Sequence, residues 1–184
     1  MSVWDTYQST ILFAAATHKG QCLPSSDITY VVHLSNVAME VIMAHKAAAS
    51  PPNENFDLET AVRGALLHDT LEDTAVSFEE LEKFAGARAA SMVAALSKDK
   101  TLPKEKKLQD SIERIKKCGI REAAVVKLAD RITNLQKPPA AWSADKMKKY
   151  REEASEILES LGYADKFLAA RLAAKIDEYR RYYE

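Results

Sequence analysis

The sequence predicts an all-α fold, a single-domain bundle of about eight to ten helices spanning residues 1–184. Glycine and proline are scarce, at 5 and 6 residues, while alanine is abundant, and this composition favours helices joined by short connections. Apolar and polar residues never alternate at period two for long enough to indicate a strand. No repeat, low-complexity tract or long linker divides the chain, which is long enough for one substantial core and short for two.

The first two predicted helices flank a loop. A capping box at Ser2 and Asp5 begins the first helix, which covers about Val3–Thr17. We expect one of its faces to be formed by Trp4, Tyr7, Ile11, Leu12 and Ala15. The turn-forming residues of segment 19–29 predict a loop, and the second helix follows at about 30–48.

Clear breaks separate the next three helices. Two prolines in segment 50–53 end the second helix, and Asp57 can cap a third helix over 58 to about 69. Two shorter helices are predicted next, at 78–84 and at Ala87–Leu96.

The rest of the chain continues the helical pattern. An amphipathic helix is predicted at about 105–117, and a helix with apolar residues on most sides at 120–135. Ser143 can cap a long helix that ends at Leu161, and the last helix runs from 164 to the C-terminus.

The composition limits the function classes. Hydrophobic residues make up 47% and charged residues 29%, and the net charge is -1, so no overall field favours nucleic acid or a membrane. Cys22 and Cys118 lack metal-type spacing and are typical of cytosolic thiols. The N-terminus has no secretory-signal pattern, and the apolar runs are too short to span a bilayer. We therefore expect a cytoplasmic protein that binds neither nucleic acid nor membranes, with its oligomeric state left open.

A cluster of chemically active residues follows the third helix. His68 and Asp69 are adjacent, and Glu72 and Asp73 come four positions later, so on a continuous helix each pair would share a face. Imidazole and carboxylate ligands together suit divalent metals such as manganese, iron or zinc. An ordinary helix end with solvated acids explains the same pattern, and the dipeptide alone favours that explanation.

Two further positions strengthen the metal hypothesis. His33 lies beside an apolar face, where a lone histidine is usually a core residue with a satisfied hydrogen bond. Asp130 interrupts an apolar helix, and a buried carboxylate needs a partner or a metal. An ion pair of Asp130 with Lys127 or Arg131 is the alternative. Asn134 lies one turn after Asp130 on the same face.

Basic and aromatic residues occur in two later segments. The stretch 98–107 carries five lysines, which form either a solvated face or a phosphate-binding rim. Trp142 and Tyr150 are either core aromatics or a pair that stacks on a base.

These motifs together resemble a known family. The metal signature of the HD phosphohydrolase superfamily is matched by His33, His68, Asp69 and Asp130. Segments 65–74 (ALLHDTLEDT) and 126–135 (VKLADRITNL) are similar to the hydrolase half of the RelA/SpoT family. The absence of an attached synthetase domain favours its stand-alone form, the small alarmone hydrolases. Segments 99–104 and 142–150 resemble the metazoan-type members.

The resemblance implies an HD-type helical bundle with one manganese ion. The implied metal ligands are His33, His68, Asp69 and Asp130. Glu72 and Asp73 would handle the attacking water and its proton. The residues implied to hold the nucleotide and its phosphates are Lys100, Asn134, Lys146 and Tyr150. The implied partner is a purine alarmone, (p)ppGpp, from which the 3′-diphosphate is removed to give pyrophosphate and GTP or GDP.

One loop departs from the family pattern. Family members commonly carry basic residues after a Gly-Gln pair, whereas segment 22–27 here has none after Gly20 and Gln21. The alternative is therefore an HD phosphohydrolase acting on a related nucleotide such as (p)ppApp or NADPH. A third hypothesis, a nucleotide sensor without activity, is disfavoured because every metal-type residue and both acids are present.

Overall fold

The computed structural model describes residues 2–47 and 56–184 of the chain. Within these residues the structure contains ten α-helices and three short 3-10 helices, and its only β-type pairing is an isolated bridge between Cys22 and Thr29. The predicted all-α class is confirmed. The predicted break at segment 50–53 lies outside the described residues. In the described part of the chain, we find no helix with the length and apolar character needed to cross a membrane.

The helices follow the predicted order, with ends shifted by a few residues. The α-helices are α1 Val3–Thr17, α2 Val31–Ala47, α3 Leu58–Leu67, α4 Thr70–Asp73, α5 Phe78–Ala85, α6 Ala87–Leu96, α7 Lys107–Lys117, α8 Arg121–Asn134, α9 Ala144–Leu161 and α10 Lys166–Glu178. The 3-10 helices are Lys104–Lys106, Gly162–Ala164 and Tyr179–Tyr182.

Side-chain caps fix several helix starts, as the sequence predicts. Ser2 and Asp5 form the capping box of α1. Asp57 Oδ1 accepts a hydrogen bond from the Thr60 amide at 3.0 Å at the start of α3, and Ser143 caps α9. Because each cap satisfies an amide that the helix leaves free, α3 begins at a defined residue, and this sets where its C-terminal end delivers side chains.

The predicted face of α1 is only partly right, since Tyr7 and Ile11 pack half-buried against the core but other predicted positions do not. Trp4 and Leu12 are 78% and 72% exposed, while Thr6, Thr10 and Ala14 are fully buried. Helix α1 packs mainly on α3, and small side chains at the contact let the two backbones approach closely. The larger apolar residues of α1 therefore lie beside the contact or in solvent.

Helices α3 and α8 lie at the centre of the core. Both are buried along most of their length, and they contact each other as well as α2 and α6. At Gly64 of α3 a Cβ atom would lie only 2.0 Å from the terminal methyl group of Met92 in α6. The start of α2, the end of α3 and the second half of α8 meet on one side of this core.

The third helix ends at the chemically active cluster, close to its predicted end at about residue 69. Helix α3 ends at Leu67, and the short α4 begins only at Thr70. His68 Nδ1 bonds to the Ala65 carbonyl at 2.9 Å, one of the acceptors that a helix end leaves free. The expected stacking of His68 under Glu72 on one continuous helix is therefore wrong. The amide of Asp73 still donates to the Asp69 carbonyl at 2.8 Å.

Candidate metal centre and active site

Three buried side chains from three helical segments converge on one point. His33 comes from α2, His68 from the end of α3 and Asp130 from α8, and one ligand atom of each lies within 4.8 Å of the others. The two Nε2 atoms are 3.3 Å apart. Asp130 Oδ1 lies 3.4 Å from the Nε2 atom of His33 and 3.6 Å from that of His68.

Asp69 joins this group from the turn between α3 and α4. Its Oδ2 atom lies 2.9 Å from His68 Nε2 and 3.8 Å from His33 Nε2. Ligand atoms bound at ~2.0–2.2 Å to one cation are separated by roughly 3–3.5 Å, depending on the coordination geometry. The donor set and its spacing therefore fit a divalent metal ion.

Hydrogen bonds orient these side chains. Since a carbonyl only accepts, His68 donates its Nδ1 proton to Ala65, and this directs the Nε2 atom towards the centre. The Tyr30 hydroxyl donates to Asp69 Oδ2, and the Asn134 amide donates to Asp130 Oδ1. Sequence reasoning missed Tyr30. Its position three residues before His33 was an available signal, because residues three apart share a helix face.

The centre is electrostatically arranged for a cation. Burial alone would lower the pKa of His68, but the carboxylates of Asp69 and Asp130 outweigh burial and raise that pKa well above its usual value. Burial would also raise the pKa of Asp130, yet hydrogen bonds from His33 and His68 hold it well below the usual range. Burial, together with the charge of Asp69, raises the pKa of the Tyr30 hydroxyl, which keeps it a proton donor. Two ionised carboxylates therefore remain beside the imidazoles.

Glu72 and Asp73 stand beside the centre with different partners. The Lys98 amide and the Lys98 Nζ atom each donate to one oxygen of the Glu72 carboxylate, both at 3.0 Å. Burial, followed by the charges of Asp69 and Glu72, raises the pKa of Asp73. The Asp73 carbonyl accepts a hydrogen bond from the Gln21 side chain at 2.6 Å, so the first loop is joined to α4.

A polar cavity of about 120 Å³ opens in front of these groups. Its walls carry four carboxylates and two ammonium groups, from Asp69, Glu72, Asp73, Asp130, Lys98 and Lys127. Tyr30, His68, Leu96 and Asn134 complete the lining. The volume suits a phosphate group better than a whole nucleoside, because pockets for drug-sized ligands span about 300–1,000 Å³.

The residues expected to hold the nucleotide fall in two places. Asn134 lines the cavity, and the Lys100 ammonium bonds to the Glu72 carbonyl at its edge. Lys146 Nζ lies 4.0 Å from the centre of the Trp142 ring, which meets the Tyr150 ring edge-on at 5.1 Å. Neither Lys146 nor Tyr150 lines the cavity.

The expected alternative for Asp130 is also present. Lys127 Nζ lies 3.6 Å from Asp130 Oδ2, whereas Arg131 faces Glu153 at 3.9 Å and lies over the Tyr150 ring. Burial lowers the pKa of Lys127, and the charge of Asp130 opposes that shift. The ion pair and the metal-type cluster therefore share Asp130.

The chain is similar to known proteins over most of its length. The profile of the HD domain family matches residues 11–177. The guanosine-3′,5′-bis(diphosphate) 3′-pyrophosphohydrolase MESH1 of Danio rerio is 37% identical over 157 residues, which cover 83% of this chain and 82% of that protein. The Homo sapiens protein of that name is 32% identical, covering 81% and 80%.

A solved structure is similar over almost its whole length. It belongs to a metazoan ortholog of SpoT that hydrolyses ppGpp and plays a role in starvation responses. The two chains superpose with a TM-score of 0.76 at 28% identity, covering 96% of this chain and 94% of the other.

Proposed function

Because this chain belongs to the HD domain family, we propose that it is a metal-dependent 3′-pyrophosphohydrolase of guanosine alarmones. It adds water to ppGpp or pppGpp and releases pyrophosphate with GDP or GTP. The observation that carries this proposal is the convergence of His33, His68 and Asp130, with Asp69 beside them. All of these except His33 line the cavity of about 120 Å³. We further propose that the protein works in the cytoplasm.

We assign one manganese ion to His33, His68, Asp69 and Asp130. Two imidazoles with two carboxylates suit manganese, and four protein ligands leave positions on a six-coordinate ion for water and substrate. When bound, such an ion polarises a phosphoryl oxygen and lowers the pKa of a water bound to it.

Glu72 is the group best arranged to take the proton of the attacking water. Its carboxylate lines the cavity, and the two hydrogen bonds from Lys98 fix its orientation. A general base needs such a fixed position within reach of the water. We assign Asp73 to the same proton handling, since its carboxyl lines the same wall and has a raised pKa.

The nucleotide would extend from the cavity towards α9. We assign phosphate contacts to Asn134, which lies in the cavity, and to Lys100, which lies at its edge. Lys146 and Tyr150 pack with Trp142 at the start of α9, where an aromatic edge and a cation are available for the base and the distal phosphates.

The proposal is tested by assaying purified protein, with manganese added, against ppGpp and pppGpp. We expect pyrophosphate and GDP or GTP in equal amounts, and no turnover after a chelator strips the metal. Release of single phosphates, or undiminished turnover by the stripped protein, would contradict the assigned reaction.

The second candidate function is hydrolysis of a related nucleotide such as (p)ppApp or NADPH. The observation in its favour is the first loop, whose segment 22–27 carries no basic side chain. Losing one hydrogen-bonded anchor costs roughly 1–3 kcal/mol, or about tenfold to a hundredfold in affinity. We therefore expect weak discrimination between guanosine and adenosine alarmones, measured as the ratio of kcat/KM on one preparation. A preference for guanosine of about a thousandfold would exceed what one missing anchor allows.

A further inference from the structure

Lys127 is a buried lysine beside the metal-type cluster that the reaction above does not use. Lys127 is 6% exposed and lines the cavity. It lies in α8 three positions before Asp130 and seven before Asn134, so all three occupy one face of the helix. Helix α8 therefore presents a cation, a carboxylate and an amide to the same cavity.

The ammonium group of Lys127 has unused donors. Its nearest carboxylate oxygen, Asp130 Oδ2, is 3.6 Å away, beyond the 2.7–3.2 Å that is typical of an N–H···O bond. Within residues 2–47 and 56–184, its Nζ atom makes no hydrogen bond. Because Lys127 lines the cavity, these donors can bond to an acceptor that enters it.

Lys98, the second lysine of the cavity, already has a hydrogen-bond acceptor. Lys98 Nζ donates to Glu72 Oε1 at 3.0 Å, and the Lys98 amide holds the other carboxylate oxygen. Among the described residues that line the cavity, Lys127 thus carries the cation left without a hydrogen-bond acceptor. The acceptor it requires is anionic and small enough for about 120 Å³, which describes a phosphoryl group.

We propose that Lys127 is a binding residue for the 3′-diphosphate, its ammonium donating to a non-bridging oxygen of the phosphoryl group held next to Asp130. This inference rests on the proposed function, because that function names the anion. The alternative is a structural role in which Lys127 only balances the charge of Asp130. That role predicts loss of metal without a separate loss of diphosphate affinity.

The test compares Lys127→Met with the wild type and with Lys116→Met, which removes an exposed lysine of α7. Inorganic pyrophosphate is titrated by calorimetry into manganese-loaded protein, and bound manganese is measured on the same samples. We expect the pyrophosphate Kd to rise about tenfold to a hundredfold in Lys127→Met, as for a lost charge-assisted bond, with manganese stoichiometry retained. Lys116→Met should match the wild type.

Several outcomes would overturn the inference. If the pyrophosphate Kd of Lys127→Met stays within twofold of wild type, Lys127 does not contact the diphosphate. If Lys127→Met loses manganese, the role of Lys127 is instead to balance the charge of Asp130. Should Lys127→Met fail to melt cooperatively, Lys127→Gln takes its place under the same criteria. Wild-type protein that binds pyrophosphate but does not cleave ppGpp would refute the proposed function alone, whereas wild-type protein that binds no pyrophosphate would refute the role of Lys127.

Discussion

Replacing Tyr30 with phenylalanine isolates one hydrogen bond of the metal centre. The Tyr30 hydroxyl donates to Asp69 Oδ2, the oxygen that faces both imidazoles. The ring itself packs between His18 and His33, at centroid distances of 5.3 and 5.2 Å, so phenylalanine preserves the packing. The substitution thus removes a single donor and leaves the carboxylate free to rotate.

The expected magnitude follows from the kind of bond that is lost. A hydrogen bond to an ionised group contributes about 1.5–3 kcal/mol, and changes to groups that orient metal ligands typically cost about tenfold to a hundredfold in metal affinity. We expect Tyr30→Phe to weaken manganese binding in that range. Turnover should recover when manganese is raised to saturation, because Glu72 keeps its two bonds from Lys98.

The assay is a manganese titration against a competing chelator, with a second tyrosine as control. Tyr7 shares a hydrogen bond of 2.9 Å with Ser35 between α1 and α2, outside the cavity. Tyr7→Phe also removes a phenolic hydroxyl, but we expect unchanged manganese affinity. If Tyr30→Phe bound manganese as tightly as wild type, or if Tyr7→Phe weakened it equally, Asp69 would not depend on Tyr30 as argued.

Four further substitutions test other parts of the argument. His68→Ala and Asp130→Ala should each abolish metal binding with helical content nearly intact in circular dichroism, and wild-type manganese stoichiometry in either variant would remove that residue from the ligand set. Glu72→Gln should retain the metal and lose about 10²–10⁴ in turnover, whereas turnover within about twofold of wild type would exclude it as the base. Gly64→Ala should destabilise the fold, since overpacking against Met92 costs about 1–3 kcal/mol and better helix propensity offsets only about 1. In a Met92→Ala background Gly64→Ala should instead raise the free energy of unfolding by about 1 kcal/mol, measured by urea unfolding. If Gly64→Ala lowered the free energy of unfolding equally in both backgrounds, a clash with Met92 would be ruled out.

Most helices could be predicted because their ends are encoded locally. The capping residues Ser2, Asp57 and Ser143 act over a few positions, so the sequence alone shows where their helices begin. The face of α1 could not be predicted in this way. The spacing of its large apolar residues, such as Trp4, predicts one face. The buried face is instead formed by Thr6, Thr10 and Ala14, because α3 packs closely against these small side chains.

The turn between α3 and α4 was not predicted, although the end of α3 was expected at about residue 69. Nothing in the local sequence is a helix breaker, and a continuous helix satisfies the apolar pattern as well. At this turn His68 bonds to the Ala65 carbonyl of its own helix, while Asp69 faces the His33 imidazole of α2, which lies far away in the sequence. Only the folded chain brings these partners together.

The site was predictable only in part from its residues. The unusual position of Asp130 was visible as a carboxylate in an apolar helix, but His33 by itself favoured a core role. Its place in the cluster came from the family resemblance. Tyr30 and Lys127 were not singled out as functional, because a tyrosine next to a helix and a lysine inside one are both common. The role of Tyr30 becomes visible only in the fold, where Asp69, 39 positions later in the sequence, accepts the hydrogen bond of its hydroxyl.

Helix α8 shows how stability and chemistry are divided in this fold. Its buried residues Val125, Leu128 and Ile132 are fully enclosed in the core, while Lys127 and Asp130 turn towards the cavity. Hydrogen bonds from neighbouring side chains stabilise the charge of Asp130, but Lys127 has only the 3.6 Å ion pair, and burial lowers the pKa of its ammonium, so its charged form is disfavoured in the fold. With the cation and the phosphoryl group that we propose, an anion beside Lys127 would favour its charged form. The polar face of α8 is therefore better explained by what the cavity binds than by the stability of the helix.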